Sequence, residues 1–398
     1  MESNQVPFFN PFDPEVHANP YPHYQRMLQA PPLRFSALIS AVIVSRYDDV
    51  ERVLTDFQTF SNHRPQATPF QQLDLTAGAA TMLGADPPVH TRLRQLVSRD
   101  FTPRRIAAMA PRIKAITDSL LDAVAARGEF EAMADLANQL PVLVIAEMLG
   151  IPTQRHREFK AWSNAIIASS AVPPHMPRPP QAVQATAALR EFLAAEIERR
   201  RHRPGPDLIS ALIASEQAEV LSPGELLAFL ILLLMAGNET TTNLIGNGLL
   251  ALMRHPQQLA RLRNEPALMA SAVEEMLRFD SPVQGAIRLA RKPANVGGVG
   301  IEPGTVVVVM LAAANRDPSR FERPDQFDIA RQPNEHLAFG RGIHFCLGAQ
   351  LARLEGSIVF ASVLERFPRL RLTDPSAPLS YRGSLFLRGL AALPLALG

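Results

Sequence analysis

Ser222-Pro223-Gly224-Glu225 writes the start of a helix into this chain. Ser at the cap can accept from the Glu225 N–H, Glu225 can reach back to the Ser222 N–H, and Pro suits the first helical position, where no partner for an N–H is needed. The helical pattern continues to about Arg254, before Pro256, which is roughly 50 Å at 1.5 Å per residue. A helix of that length crosses a whole molecule, so the rest of the chain must pack around it. Its apolar heart, Leu226 to Ala236, falls short of the roughly 20 residues that span a bilayer, and a buried core helix is expected. Midway stands Ala236-Gly237-Asn238-Glu239-Thr240-Thr241. Gly costs about 1 kcal/mol there against Ala, and an acid beside hydroxyls in a greasy helix is a local violation of the kind that marks a functional site. The plainer alternative is that Thr240 bonds back to a carbonyl one turn earlier and bends the helix.

The only cysteine, Cys346, lies in Phe339-Gly340-Arg341-Gly342-Ile343-His344-Phe345-Cys346-Leu347-Gly348. One cysteine forms no intrachain disulfide and no four-cysteine zinc or iron–sulfur site. A buried spectator, a nucleophile and a single axial ligand remain. Gly340, Gly342 and Gly348 clear side chains from around the sulfur, as when something large and flat must approach. Leu347 to Leu354 reads as the first turns of a helix whose positive end favours a thiolate.

This loop resembles the haem-binding loop of the cytochrome P-450 family, Phe-Gly-x-Gly-x-His-x-Cys-x-Gly, at all six fixed positions. The resemblance implies haem b (iron protoporphyrin IX) with Cys346 as its iron ligand and Phe339 beside it, and a mainly α fold with a minor β portion and the long helix over the haem. Ala236-Gly237-Asn238-Glu239-Thr240 is similar to the family's oxygen-activation motif. By that likeness Ala236 and Gly237 open a groove for O2, Thr240 hydrogen-bonds it, and Glu239 relays protons, which oxygen–oxygen cleavage requires. His90 and Arg94, one helical turn apart after Asp86-Pro87-Pro88, would hold the haem propionates together with Arg288 and His344. Taken alone, His90 and Arg94 read as a solvated face, and Arg291 competes with Arg288. Asp86 is a plausible helix N-cap. Glu275 and Arg278, which alone read as a surface pair, look like the family's structural Glu-x-x-Arg. Its usual third basic partner is replaced by Gln326, which leaves the network either incomplete or completed by another residue such as Arg323 or Arg331.

Hydrophobic residues make up 47% of the chain and charged residues 20%, enough apolar material for a large core. The proline patches at 173–180 and 203–206 are short and flanked by helical pattern, so residues 1–398 read as one domain. With only 3 Lys, 37 of the 40 basic residues are Arg, spread along the chain at a net charge of +2. Nucleic-acid binding needs a concentrated basic face and is not expected. The polar N-terminus lacks the apolar core of a signal peptide, so a soluble cytoplasmic protein without a membrane anchor, and a monomer, is expected.

The expected activity is that of a soluble bacterial haem-thiolate monooxygenase: RH, O2, two electrons and two protons give ROH and water. Substrate contacts are expected from the 62–86 loop, Trp162 to Val172, Leu232, Met235 and Ala236, Val283 to Ile287, and Ser384 to Phe386. These are mostly apolar, which favours a lipophilic substrate of polyketide, terpenoid, steroid or fatty-acid type. A fused reductase is not expected. Electrons would come from a separate ferredoxin and its reductase, docking on Arg341 or Arg353. A peroxide-driven enzyme and a non-catalytic haem sensor are the other readings, and the acid–threonine pair weighs against both.

Overall fold

The computed structural model describes residues 13–35, 41–63, 79–169, 177–217, 221–382 and 386–398. The capping box forms as its residues require: Glu225 N–H donates to Ser222 Oγ at 3.2 Å and Ser222 N–H to Glu225 Oε2 at 2.9 Å. The central helix then runs Pro223–Arg254, 32 residues. By length and composition it could cross a membrane, yet 67% of its apolar window is buried inside the protein. Helices Leu140–Met148, His156–Ala168, Pro180–His202, Met269–Phe279 and Ala349–Arg366 pack against it, and their apolar faces merge into the largest core cluster. Close approach explains one glycine. A Cβ on Gly248 would stand 2.5 Å from Phe360 Cζ and 2.8 Å from Met276 Sδ, so any side chain would push two helices off the central one.

The β portion is minor. A five-stranded sheet has the order Leu33–Phe35, Ala41–Val44, Val306–Val309, Ala286–Ala290, Phe60–Ser61. Ala41–Val44 and Val306–Val309 run parallel, with Val42 opposite Val307, and the other pairs are antiparallel. A second sheet joins Phe130–Glu131, Pro394–Ala396 and Arg371–Leu372. The mainly α expectation with a minor β part holds.

Two local expectations are corrected, and the choice between a surface pair and a structural one is decided for Glu275 and Arg278. The helix after the cysteine begins at Ala349, with Gly348 as its cap, so Leu347 lies outside it and Cys346 precedes the cap by two residues. The helix Val89–Ser98 has Pro88 at its cap and no side-chain cap bond. Asp86 instead accepts from Ser61 Oγ and from Asn62 N–H at 3.0 Å, stapling the strand end to the helix start. Glu275 and Arg278 are not on the surface: both side chains are 0% exposed.

Candidate active site

A cavity of about 440 Å³ lies between the central helix and the cysteine loop. On the loop side the backbone folds on itself, with Gly340 N–H donating to Leu337 O at 2.8 Å and Cys346 N–H to Phe339 O at 3.0 Å. Gly340 and Gly342 both have φ +70°, a conformation that side chains disfavour. A Cβ on Gly342 would also stand 2.9 Å from Leu54 O. The Cys346 side chain is exposed to the cavity, although the protein around it is dense enough that burial pushes the thiol up. The N–H groups of Gly348 and Ala349 and the cations Arg94 and Arg353 act the other way, and these are the groups that would steady a thiolate ligand.

Across the cavity, Ala236, Gly237, Thr240, Thr241 and Leu244 form the wall of the central helix. Thr240 Oγ1 donates to Ala236 O at 2.8 Å. The back-bonded reading and the cavity-wall reading therefore describe one hydroxyl, whose lone pairs stay open to a partner. Gly237 has a packing reason besides a groove, since a Cβ there would stand 2.8 Å from Ile145 Cδ1. Glu239 is buried off the wall. Burial pushes its carboxyl up to about 7, with Arg382 opposing, so near neutral pH it can both give and take a proton.

At one edge of the cavity four basic side chains from three distant segments converge. Arg94, Arg288 and His344 line it; His90 is buried with its ring 4.4 Å from that of His344. Burial, then the nearby Arg288 and His90, push His344 down to about 3. Burial also lowers His90 and Arg94. The Nε2 atoms of both histidines are buried without a partner, and Arg94 forms no ion pair among the described residues. Cations held together with orphaned donors need an anion, and a dicarboxylate such as haem fits them. Arg291 is elsewhere: its side chain is 52% exposed and pairs with Asp86 at 3.2 Å.

The third partner of Glu275 and Arg278 is Arg331. Glu275 takes Arg278 Nε at 2.8 Å and Nη2 at 2.9 Å, and Arg331 Nε lies 3.2 and 3.1 Å from its two oxygens. Gln326 serves through its backbone carbonyl, which accepts from Arg278 at 3.2 Å and from Arg331 at 2.9 Å. Arg323 pairs with Glu322 on the surface instead. The network locks the helix Met269–Phe279 to residues 315–334 just before the cysteine loop.

Other expected wall residues divide. Asn62, Met82, Leu83, Leu232, Val283, Gly285, Ala286, Ile287 and Phe386 line the cavity. Met235 does not, Leu233 taking its place, and Trp162 packs on Phe192 with ring centroids 5.5 Å apart. Residues 64–78, 170–172, 384 and 385 lie outside the described residues. Arg341 and Arg353 are already paired, with Glu51 at 2.9 Å and with Glu274 at 2.7 and 2.8 Å. Against the burial that would raise it, hydrogen bonds from His336 and Arg353 hold Glu274 at about 2. Of the lining residues that the sequence reading did not name, one is an acid. Glu355, on the helix after the cysteine, is buried with Oε2 unpartnered, and burial pushes it up to about 8. Its only sequence signal is an acid on an apolar helix face.

A single cysteine on one wall of an apolar cavity, a threonine-bearing helix opposite and a cationic rim define a haem-thiolate type of centre. The comparisons agree, and the chain belongs to the cytochrome P450 family, whose profile matches residues 37–388. It is 41% identical to cytochrome P450 107B1 of Saccharopolyspora erythraea over 99% of each chain. It is also 41% identical to the vitamin D(3) 25-hydroxylase of Pseudonocardia autotrophica, over 96% of this chain and 94% of that one. The structure of myxobacterial CYP267B1 in complex with myristic acid superposes with a TM-score of 0.88 at 38% identity, over 97% of this chain and 98% of that one. The family binds haem b, and its members are monooxygenases.

Proposed function

We propose that this chain hydroxylates or epoxidises a lipophilic small molecule, of polyketide, terpenoid, steroid or fatty-acid type, with electrons from a separate ferredoxin and reductase. The observation that carries the reading is the division of the cavity. Phe229, Leu232, Leu233, Val283, Ile287 and Phe386 line it with apolar side chains, while the cations Arg94 and Arg288 stand together at one edge. The apolar side suits the hydrocarbon body of such a substrate. The vitamin D(3) hydroxylase and the myristic acid complex among its relatives support a lipophilic substrate.

Bound haem supplies the iron at which O2 is activated. Cys346 would hold that iron, Arg94, Arg288, His90 and His344 would hold the propionates, and Phe339 would contact the haem from the cysteine loop. Ala236 and Gly237, the small residues of the central helix on the cavity wall, would leave room there for O2. Thr240, its own proton committed to Ala236 O, accepts a hydrogen bond at its oxygen and orders the water that carries protons in. Glu239, which near neutral pH can both take and give a proton, relays protons from its carboxyl. The apolar wall excludes other water and turns the substrate C–H towards the iron.

The test is spectroscopic and catalytic together. The reduced protein with carbon monoxide should absorb at the thiolate-specific Soret position, and Cys346→His should move the band to the histidine-ligated position and abolish NADH-driven oxygenation. An unchanged band in the variant overturns the assignment of Cys346.

A further inference from the structure

Two segments about a hundred residues apart form one ribbon along the substrate side of the cavity. Gln284 N–H donates to Phe386 O at 2.7 Å and Arg388 N–H to Pro282 O at 2.9 Å, with Val283 opposite Leu387 in an antiparallel bridge. Val283, Ala286 and Phe386 line the cavity. The ribbon has no slack at its centre: a Cβ on Gly285 would stand 2.8 Å from Val309 O and 3.3 Å from Phe386 Cδ1. Gln284, between Val283 and Gly285, is buried and off the wall, and both ends of its amide are used. Oε1 accepts from the Tyr24 hydroxyl and Nε2 donates to Ser281 O, while its backbone O accepts from Ala312 N–H at 3.1 Å. Tyr24, from the helix Tyr21–Gln29, is itself buried, and burial pushes its phenol up, so it remains a donor. The ribbon's other strand is fixed through Arg388, which pairs with Asp280 at 2.9 Å and lies 3.9 Å over the Tyr381 ring.

We infer that Gln284, held by Tyr24, is a positioning residue for substrate specificity. A phenol offers one proton and an amide one acceptor and two donors. Using the phenol proton, the amide acceptor and one amide donor in a buried setting fixes the plane of the Gln284 amide, and with it the direction in which Val283 and Phe386 face the cavity. An N-terminal helix with no residue on the wall thereby sets the shape of the wall. The inference deepens the monooxygenase reading by naming what lies behind its substrate contacts.

The test compares two ligands of the haem iron in the holoprotein, read by their Soret shifts: imidazole, and the bulkier 4-phenylimidazole, whose added apolar ring probes the cavity wall. Tyr24→Phe should shift the ratio of the two dissociation constants by about fivefold, the effect of one neutral hydrogen bond, with imidazole affinity and haem content unchanged. Gln284→Met removes that bond and the one to Ser281 O, so it should shift the ratio in the same direction by at least as much, and it serves alone if Tyr24→Phe retains no haem. The double variant should add nothing to Gln284→Met, because Tyr24 acts on the wall through Gln284. A ratio that stays at the wild-type value in haem-replete variants, or single effects that multiply in the double variant, overturns the inference. A wild type lacking the thiolate-type carbon monoxide band would instead overturn the Cys346 assignment, a separate outcome.

Discussion

Replacing Glu355 by Gln removes one proton-binding site from the folded protein, and the consequence can be calculated. The carboxyl is buried on the cavity floor with Oε2 unpartnered, and burial raises it from its ordinary 4.5 to about 8. The folded protein therefore keeps a proton that the unfolded chain releases above about pH 4.5. Protonation favours the folded state, so this contribution is complete below pH 4.5 and is lost as pH rises through about 8. The interval from 4.5 to about 8, at about 1.4 kcal/mol per pH unit, limits the loss to about 5 kcal/mol. Urea denaturation of the holoprotein and of Glu355→Gln, at pH 5 and at pH 8, measures it. Relative to the variant, the wild type should lose about 4 kcal/mol between the two pH values. An unpartnered amide in the variant shifts both points equally and cancels, as does Glu239, which both proteins carry. A stability difference that stays the same at pH 5 and pH 8 would show that Glu355 is ionised in the folded state, and the reasoning would fail.

Arg94→Ala or Arg288→Ala should lower haem occupancy and thermal stability together, by about 1–3 kcal/mol for a buried charge left short of a donor. Arg291→Ala, with its side chain 52% exposed, should stay within about 0.5 kcal/mol of wild type by thermal melting; haem loss in Arg291→Ala alone would reverse the assignment. Thr240→Ala should keep haem content and ligand-induced spectral shifts yet divert NADH-derived electrons to hydrogen peroxide, and equal coupling in both proteins refutes its role. Arg331→Met strips a guanidinium from the buried Glu275 and should cost about 3 kcal/mol or more in urea titrations. Gln326→Ala should cost little, because only its backbone carbonyl is engaged.

What the sequence discloses follows the range of the interaction. The capping box at Ser222 and Glu225 is complete within four residues, and the helix Pro223–Arg254 forms where it is written. The cysteine loop is nearly as local, since its glycines adopt the positive φ that their type permits. The helix after it was misplaced by two residues because Leu347 fits an apolar helical pattern while the chain there is still closing the loop with Cys346 N–H on Phe339 O. Asp86 failed as a cap for a related reason. Its partners Ser61 and Asn62 come from an earlier strand, and no local rule ranks that bond above a cap.

The wall of the cavity was only partly legible, and the Glu275 network shows why. A glutamate and an arginine three residues apart make the same pattern on a wet surface and in a dry core. What decides between them is what arrives from elsewhere: the carbonyls of Asn315, Pro324 and Gln326 and the side chain of Arg331. Without them the buried pair would leave guanidinium protons unmatched, at a cost no surface pair incurs. The same reasoning governs Met235 and Leu233. Both belong to one apolar run, and the helical period alone cannot say which of them faces a cavity whose other wall comes from residues 283–287 and Phe386. Glu355 is the extreme case: its sequence neighbours look ordinary, and only burial beside the cysteine turns an unremarked acid into the group whose titration reports on that cavity.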